Sequence, residues 1–333
     1  MSLSDFPKEI LLEVADHLGD SGMNALARTN SQVYDLLNRH LYRRDVTKPE
    51  SKSLIWGAAC RLEGTIQQAI DAGKNLTPIS KSFQTALQVV IDSDQEYAHL
   101  VELLLQVDGI DIGKQLGIAT SRGYVDIVKL LLDYPGTDPN FAEGDGCTAL
   151  MRSYEPQVVK LLLEHEGIEV NRQDRSGCTA LSLATQFSSE HYNPNKSRSL
   201  HKDLEIAKLL LERKDIDVNT RENSGWTALH WACFNGSQTL VDMLLEKDID
   251  PNIRDITMGY TPLALACHFS CHFHCDIAIV RSLLSHPRTD VNVVDVNGLS
   301  ILANCKANCP VYPLHYSLRT NEIESLLRAA GAT

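Results

Sequence analysis

The stretch "SGWTALHWACFNG" occupies Ser224–Gly236, and pieces of it return along the chain. "GCTAL" stands at Gly146 and again at Gly177, "GYTPLALAC" at Gly259, and a worn "GLSIL" at Gly298. A single globular core gives no reason for such recurrence. A chain built by stacking one small unit does. Within the stretch, Thr227 is placed to cap a helix. Leu229, Ala232 and Cys233 then share one helical face. Gly236 closes the helix where a positive φ is required. "TLVDMLLE" follows as a second amphipathic helix with Leu240, Val241, Leu244 and Leu245 inward, and "KDIDPN" leaves it and turns back. The unit is helix, turn, helix, hairpin-like loop, so the chain is expected to be all-α.

The other units lie on this template. Second helices end in "LLL" at Leu103, Leu130, Leu161 and Leu209, and in weaker "SLL" at Ser282 and Ser325. The loops that follow read "DPN" at Asp138, "EVN" at Glu169, "DVN" at Asp217, "DPN" at Asp250 and "DVN" at Asp290. With "TALH" at Thr227 and "GYVDIVKLLL" at Gly123, this pattern resembles the ankyrin repeat, whose period is about 33 residues. The resemblance implies a solenoid over residues 53–333 with about eight units. The first of them (Ser53–Pro78) is degenerate, and the last (Asn297–Thr333) lacks an outgoing loop.

The units differ in length. Thr227 to Leu245 spans 18 positions and Thr148 to Leu163 only 15, which predicts a shortened turn between the two helices of that unit. Thr179 to Leu211 spans 32, which places an insertion in the polar "SSEHYNPNKSRSLHKD", near 188–203. Thr261 to Leu284 spans 23, a smaller insertion. Repeat arrays tolerate such excursions because each unit needs only its neighbours.

Residues 1–48 follow another pattern. Pro7 stands at a helix start, Ile10, Leu11, Val14 and Leu18 form a stripe, Leu26 and Ala27 begin a second apolar helix, and Val33, Leu36 and Leu37 mark a third. "FPKEILLEV" from Phe6 and "NALARTNSQVYDLLNRHLYRRDV" from Asn24 resemble the F-box of fungal proteins, with Phe6 where the family usually has Leu. The resemblance implies a three-helix unit that docks on the adaptor subunit of a cullin-type ubiquitin ligase through Phe6, Pro7, Ile10, Leu11, Val14, Leu18 and Leu26. Three helices in so short a stretch make a small core, and a partner helix can bury what it leaves uncovered. The alternative is that the same residues cap the solenoid, which would then be a plain scaffold.

In ankyrin modules the hairpin tips and the exposed end of the first helix meet partners. Carried onto this chain, the residue after the turn glycine is Cys147, Cys178, Trp226, Tyr260 or Leu299. The helix ends give Ser121 and Arg122, Gln186 and Phe187, Phe234 and Asn235, His268 and Phe269. The tips add Arg175, Asn223 and Met258. Trp226, Phe234, Tyr260, Met258 and Phe269 are expected to form an interface patch, joined by Arg122, Arg175 and Phe187; the alternative is that Trp226 and Tyr260 only cover the neighbouring hairpins. Trp231 lies within the apolar helix pattern and reads as core.

"CHFSCHFHCD" sets Cys267, Cys271 and Cys275 four apart, as it does His268 and His272, and Cys305 and Cys309 repeat the spacing in the next unit. A zinc site is geometrically conceivable, and a metal protein or an enzyme using this cluster is the third reading. Against it, no CxxC pair occurs, and Cys267 aligns with Cys233, an ordinary core position. No phosphate-cradling glycine loop, HExxH or GxSxG occurs, and the recurring carboxylates are repeat landmarks. The expectation is a non-enzymatic interaction protein with no cofactor.

Among the 333 residues, 43 acidic side chains outnumber 31 basic ones, giving −12, which opposes nucleic acid as a partner. The start carries neither a basic nor an apolar signal region, and no apolar run reaches a membrane span, so no membrane partner is expected. Nine cysteines without a disulfide-like spacing point to a reducing, intracellular compartment, cytoplasmic or nuclear.

Overall fold

The computed structural model describes residues 14, 52–73, 81–93, 96–107, 110, 112–186, 200–269, 277–307 and 313–333. Of the N-terminal docking residues only Val14 is among them, helical and 45% exposed. Phe6, Pro7, Ile10, Leu11, Leu18 and Leu26 lie outside the described residues, as does Phe187. The chain divides into two compact units, one of residues 1–119 and 124–138, the other of residues 120–123 and 139–333.

The first unit holds α1 (Lys52–Cys60), α2 (Glu63–Gly73), α3 (Lys81–Ile91), α4 (Ala98–Leu104), most of α5 (Gly113–Arg122) and α6 (Val125–Leu132). Helix α1 packs on α2 and α3, and α4 packs on α2, α3 and α6. Leu54, Ile66, Ile70, Leu87, Leu100 and Leu104 are fully buried between them. Polar side chains tie one helix pair to the next. Glu96 Oε1 accepts the backbone N–H groups of Asp126 and Ile127 at 2.8 and 3.2 Å, satisfying the start of α6. The Tyr124 hydroxyl donates to Ser93 O at 2.6 Å, and the Tyr134 hydroxyl to Val107 O at 2.9 Å.

Among its described residues the second unit holds five further helix pairs: α7 (Ala149–Arg152) with α8 (Pro156–Glu164), α9 (Ala180–Gln186) with α10 (Leu200–Leu211), α11 (Ala228–Phe234) with α12 (Gln238–Leu245), α13 (Pro262–Phe269) with α14 (Ile277–Ser285), and α15 (Ile301–Ala307) with α16 (Pro313–Ala329). First helices pack in sequence on first helices, α7 on α9, α9 on α11, α11 on α13, α13 on α15. Second helices do the same from α8 to α16. The apolar faces read from the template supply the core: Leu229, Ala232, Leu240, Val241 and Leu244 are wholly buried.

One start signal recurs at each first helix of the second unit. The hydroxyls of Thr148, Thr179, Thr261 and Ser300 accept the N–H three residues on, at 3.4, 3.2, 3.2 and 3.3 Å. At Thr227 the bracing runs both ways as a capping box: its side chain accepts the backbone N–H of His230, and the Thr227 N–H donates to Nδ1 of His230 at 3.1 Å. Gly236 holds φ +70 at the end of α11, as its stop role requires. In the short unit the expectation fails in detail. Three residues join α7 to α8, as three join α11 to α12; the deletion falls in the first helix, which is cut to four residues. In the long unit α10 starts at Leu200, so residues 200–203 of the supposed insertion form its first turn, with Asp203 buried.

The recurring Asn of the outgoing loops is explained by a ladder. The amides of Asn140, Asn171, Asn219, Asn252 and Asn292 donate to the carbonyls of Gly167, Asp215, Asp248, Arg288 and Gly331 in the unit that follows. Their carbonyl oxygens accept N–H groups two residues further on, from Glu169, Asp217, Asp250, Asp290 and Thr333. Each side chain thus satisfies one donor and one acceptor of a loop that has no sheet to satisfy them. The hairpin tips carry a second ladder: Arg175 N–H to Asp145 O, Asn223 to Ser176, Ile256 to Ser224, and Val296 to Met258.

Candidate protein-binding surface

At four tips, the residue after the turn glycine returns its carbonyl to a residue four or five earlier: Cys178 to Asp174, Trp226 to Glu222, Tyr260 to Asp255 and Leu299 to Asp295. Three of those partners are aspartates that fold back into their own turn. Asp174 Oδ1 accepts the N–H groups of Ser176 and Cys178, both at 2.8 Å. Asp255 and Asp295 do the same in their loops. Position 222 is the exception. Its side chain is one methylene longer, and the Ser224 hydroxyl takes over in the turn, accepting from Trp226 N at 3.3 Å. The Glu222 carboxylate reaches across instead and accepts the indole N–H of Trp231 at 2.8 Å.

Trp231 is therefore not core, contrary to expectation. Ala228, Leu229, His230, Ala232 and Cys233 are the buried residues of α11, while Trp231 is half-buried and Phe234, three residues on, is 38% exposed. The two share the stripe that faces away from the core. Trp226 closes the group, with its ring centroid 4.5 Å from that of Trp231 and 5.4 Å from that of Phe234, both edge-on. Trp231 and Phe234 lie 6.1 Å apart at 84°. These are the offset and edge-to-face arrangements that aromatic quadrupoles favour. Asn235 anchors the end of α11 by donating to Thr185 O and Gln186 O of α9, both at 2.9 Å.

The remaining expected contacts separate. Tyr260 is only 6% exposed, its ring against that of His268 at 5.1 Å, so it does not serve as a surface anchor. Burial, then the charges of Asp295 and Asp255, raise its phenol's pKa. Met258 is half exposed at its tip, as are the apolar side chains of Ile256, Val294, Val296 and Leu299 at the same or the next tip. Arg175 is exposed at its tip, and Arg122 is half-buried at the end of α5. Phe269 ends α13, but its side chain lies outside the described residues.

Negative charge gathers beside the aromatic group. The Cys178 thiol is pushed up to about 12 by burial and by the carboxylates of Glu222 and Asp174. Cys147 is pushed up to about 11 by burial and by Asp145 and Asp174. Arg152 neutralises Asp145 at 2.7 Å. Cys267 and Cys305 are buried, with the Cys305 thiol donating to Cys267 O at 3.8 Å. Among the described residues no three His, Cys, Asp or Glu converge on a metal position. Cys271, His272, Cys275 and Cys309 lie outside them.

The sequence matches the family model for ankyrin repeats over residues 116–193 and 198–295, more than half of its length. The chain belongs to the ankyrin-repeat family. Such repeats are protein–protein interaction modules, and the exposed aromatic group sits on one of them. Among solved structures, an ankyrin repeat domain from Acinetobacter baumannii is 22% identical, covering 66% of this chain and 98% of its own, with a TM-score of 0.53. The ankyrin repeat domain of Bcl-3, described as a member of the IkappaB protein family, is 22% identical over 70% of this chain and 97% of its own, with a TM-score of 0.54. At this identity the likeness concerns the fold alone. No curated protein matches the sequence. No described helix of the ankyrin array is long and apolar enough to cross a membrane.

Proposed function

We propose that the chain recruits a target protein to a cullin-type ubiquitin ligase. The N-terminal F-box-like segment would dock on the ligase adaptor, and the ankyrin array would hold the target. The observation that carries this reading is the succession, in one chain, of "FPKEILLEV" and "NALARTNSQVYDLLNRHLYRRDV" followed by an interaction array. Support for the target end comes from Trp226, Trp231 and Phe234, large aromatic rings kept partly in solvent on a rigid helix pair. Such rings are the commonest anchors of interfaces. Ubiquitin transfer itself belongs to other subunits; this chain contributes proximity.

Three forms of the full chain test the proposal in cells: the parent, Trp231→Ala/Phe234→Ala, and Pro7→Asp/Leu11→Asp. Captured proteins and their ubiquitination are measured together. The expected target is captured by the parent and by the Pro7→Asp/Leu11→Asp form, but not by the aromatic variant, and is ubiquitinated only with the parent. Equal ubiquitination of captured proteins with all three forms would sink the reading.

A further inference from the structure

The target-binding reading leaves open what chemistry the aromatic surface accepts, and the inference drawn now rests on that reading. A purely apolar ligand suits the ring faces but not the Glu222 carboxylate at their edge. That carboxylate accepts the Trp231 N–H through Oε1 and forms no ion pair among the described residues. Two neighbouring basic side chains are engaged elsewhere: Arg221 Nη2 donates to Arg254 O at 2.9 Å, and Arg254 donates to Gly259 O and Val294 O. One tip back, Asp174 also lacks a cationic partner among the described residues, whereas Asp145 has Arg152. The rings present π faces to which a cation is attracted, and a carboxylate at the rim adds a full charge. A planar guanidinium satisfies both demands at once, lying flat on an indole while its N–H fork meets the carboxylate.

The geometry points to an arginine side chain of the partner protein, stacked on the Trp226–Trp231–Phe234 group and paired with Glu222, as the ligand of this surface. A second basic residue of the same partner segment meets Asp174. Lysine is the poorer ligand, because its ammonium is a compact, strongly hydrated point charge that can neither stack nor fork. The net charge of −12 favours the approach of a basic segment and makes it sensitive to salt.

The test uses the full chain labelled with nitrogen-15. Its three tryptophans give three indole N–H resonances, assigned from Trp226→Phe and Trp231→Phe forms. The probes are three acetylated, amidated tripeptides, Gly-Arg-Gly, Gly-Lys-Gly and Gly-Glu-Gly. The arginine peptide is expected to shift the Trp226 and Trp231 signals saturably while Trp56 stays in place. The lysine peptide is expected to bind at least threefold more weakly and the glutamate peptide not at all. Glu222→Gln, checked for unchanged helical circular dichroism, is expected to weaken arginine binding about tenfold. Equal shifts with all three peptides, no shift with arginine at saturating concentration, or unaltered binding in Glu222→Gln would each overturn the inference. Its failure is distinguishable from that of the wider reading. A target lost with Trp231→Ala/Phe234→Ala but indifferent to Glu222→Gln removes arginine and leaves the surface. A target indifferent to both removes the surface as well.

Discussion

The imidazole of His230 ties its own helix to the next unit: Nδ1 accepts the Thr227 N–H, and Nε2 lies 3.3 Å from the carbonyl oxygen of Tyr260. An Nδ1 that accepts leaves the proton on Nε2, so the ring donates to Tyr260 as a neutral group. Its place in "TALH" becomes intelligible. A side chain at that position must accept behind and donate ahead, and neutral histidine does both.

Burial lowers the His230 pKa from its ordinary value near 6.5 to about 4, against weaker opposing contributions from the Tyr260 carbonyl and Asp255. The unfolded chain therefore takes up this proton more readily than the folded one. The stabilisation is complete above about pH 6.5 and is lost as the pH falls toward 4. Between pH 7 and pH 5 the loss from this group is on the order of 2 kcal/mol. Urea midpoints for the parent and for His230→Gln check this: the parent is expected to lose stability over that interval by the larger amount, and parallel losses would contradict it.

The asparagine ladder predicts a cost for a nearly isosteric change. Asn219→Asp keeps the acceptor for Asp250 N–H but sets a carboxylate oxygen against the Asp248 carbonyl, where an amide donated at 3.0 Å. At pH 7 a loss of about 2 kcal/mol is expected, one hydrogen bond plus an acceptor facing an acceptor. Denaturant unfolding measures it, and a change below about 0.5 kcal/mol would show the rung to be dispensable.

Two turn glycines separate conformation from packing. Gly225 and Gly298 have φ of +84 and +77. A Cβ at Gly225 would lie 2.9 Å from the backbone nitrogen of Ile256, whereas at Gly298 it meets nothing within 4 Å. Gly298→Ala is expected to cost about 1 kcal/mol, the left-handed penalty alone. Gly225→Ala should cost clearly more, since the neighbouring tip must move. Equal losses in thermal unfolding would mean that the tips do not pack as described.

Much of this was legible in the sequence because the repeat states it several times. "TAL", "LLL" and the loop asparagine mark helix start, second-helix face and return, and each recurs at a usable spacing. Readings failed where position, not residue type, decides. Trp231 reads as core because it is large and apolar, yet the three-residue step to Phe234 puts both on the stripe opposite Leu229 and Cys233. Tyr260 and Trp226 are equivalent in register, but the Tyr260 ring turns onto His268 while Trp226 meets the rings of His230, Trp231 and Phe234. Glu222 carried one readable sign, a glutamate where three other tips have aspartate, and its meaning needed the distance to Trp231. The shortened unit shows the same limit: a count of residues cannot say whether a turn or a helix has lost them.

The most direct measurement for the recruiting account is a calorimetric titration of the full chain with the purified ligase adaptor. The account predicts one-to-one binding with Kd on the order of micromolar or tighter, abolished in Pro7→Asp/Leu11→Asp and unchanged in Trp231→Ala/Phe234→Ala. No binding by a chain of intact helical circular dichroism, or equal binding by the Pro7→Asp/Leu11→Asp form, would contradict it.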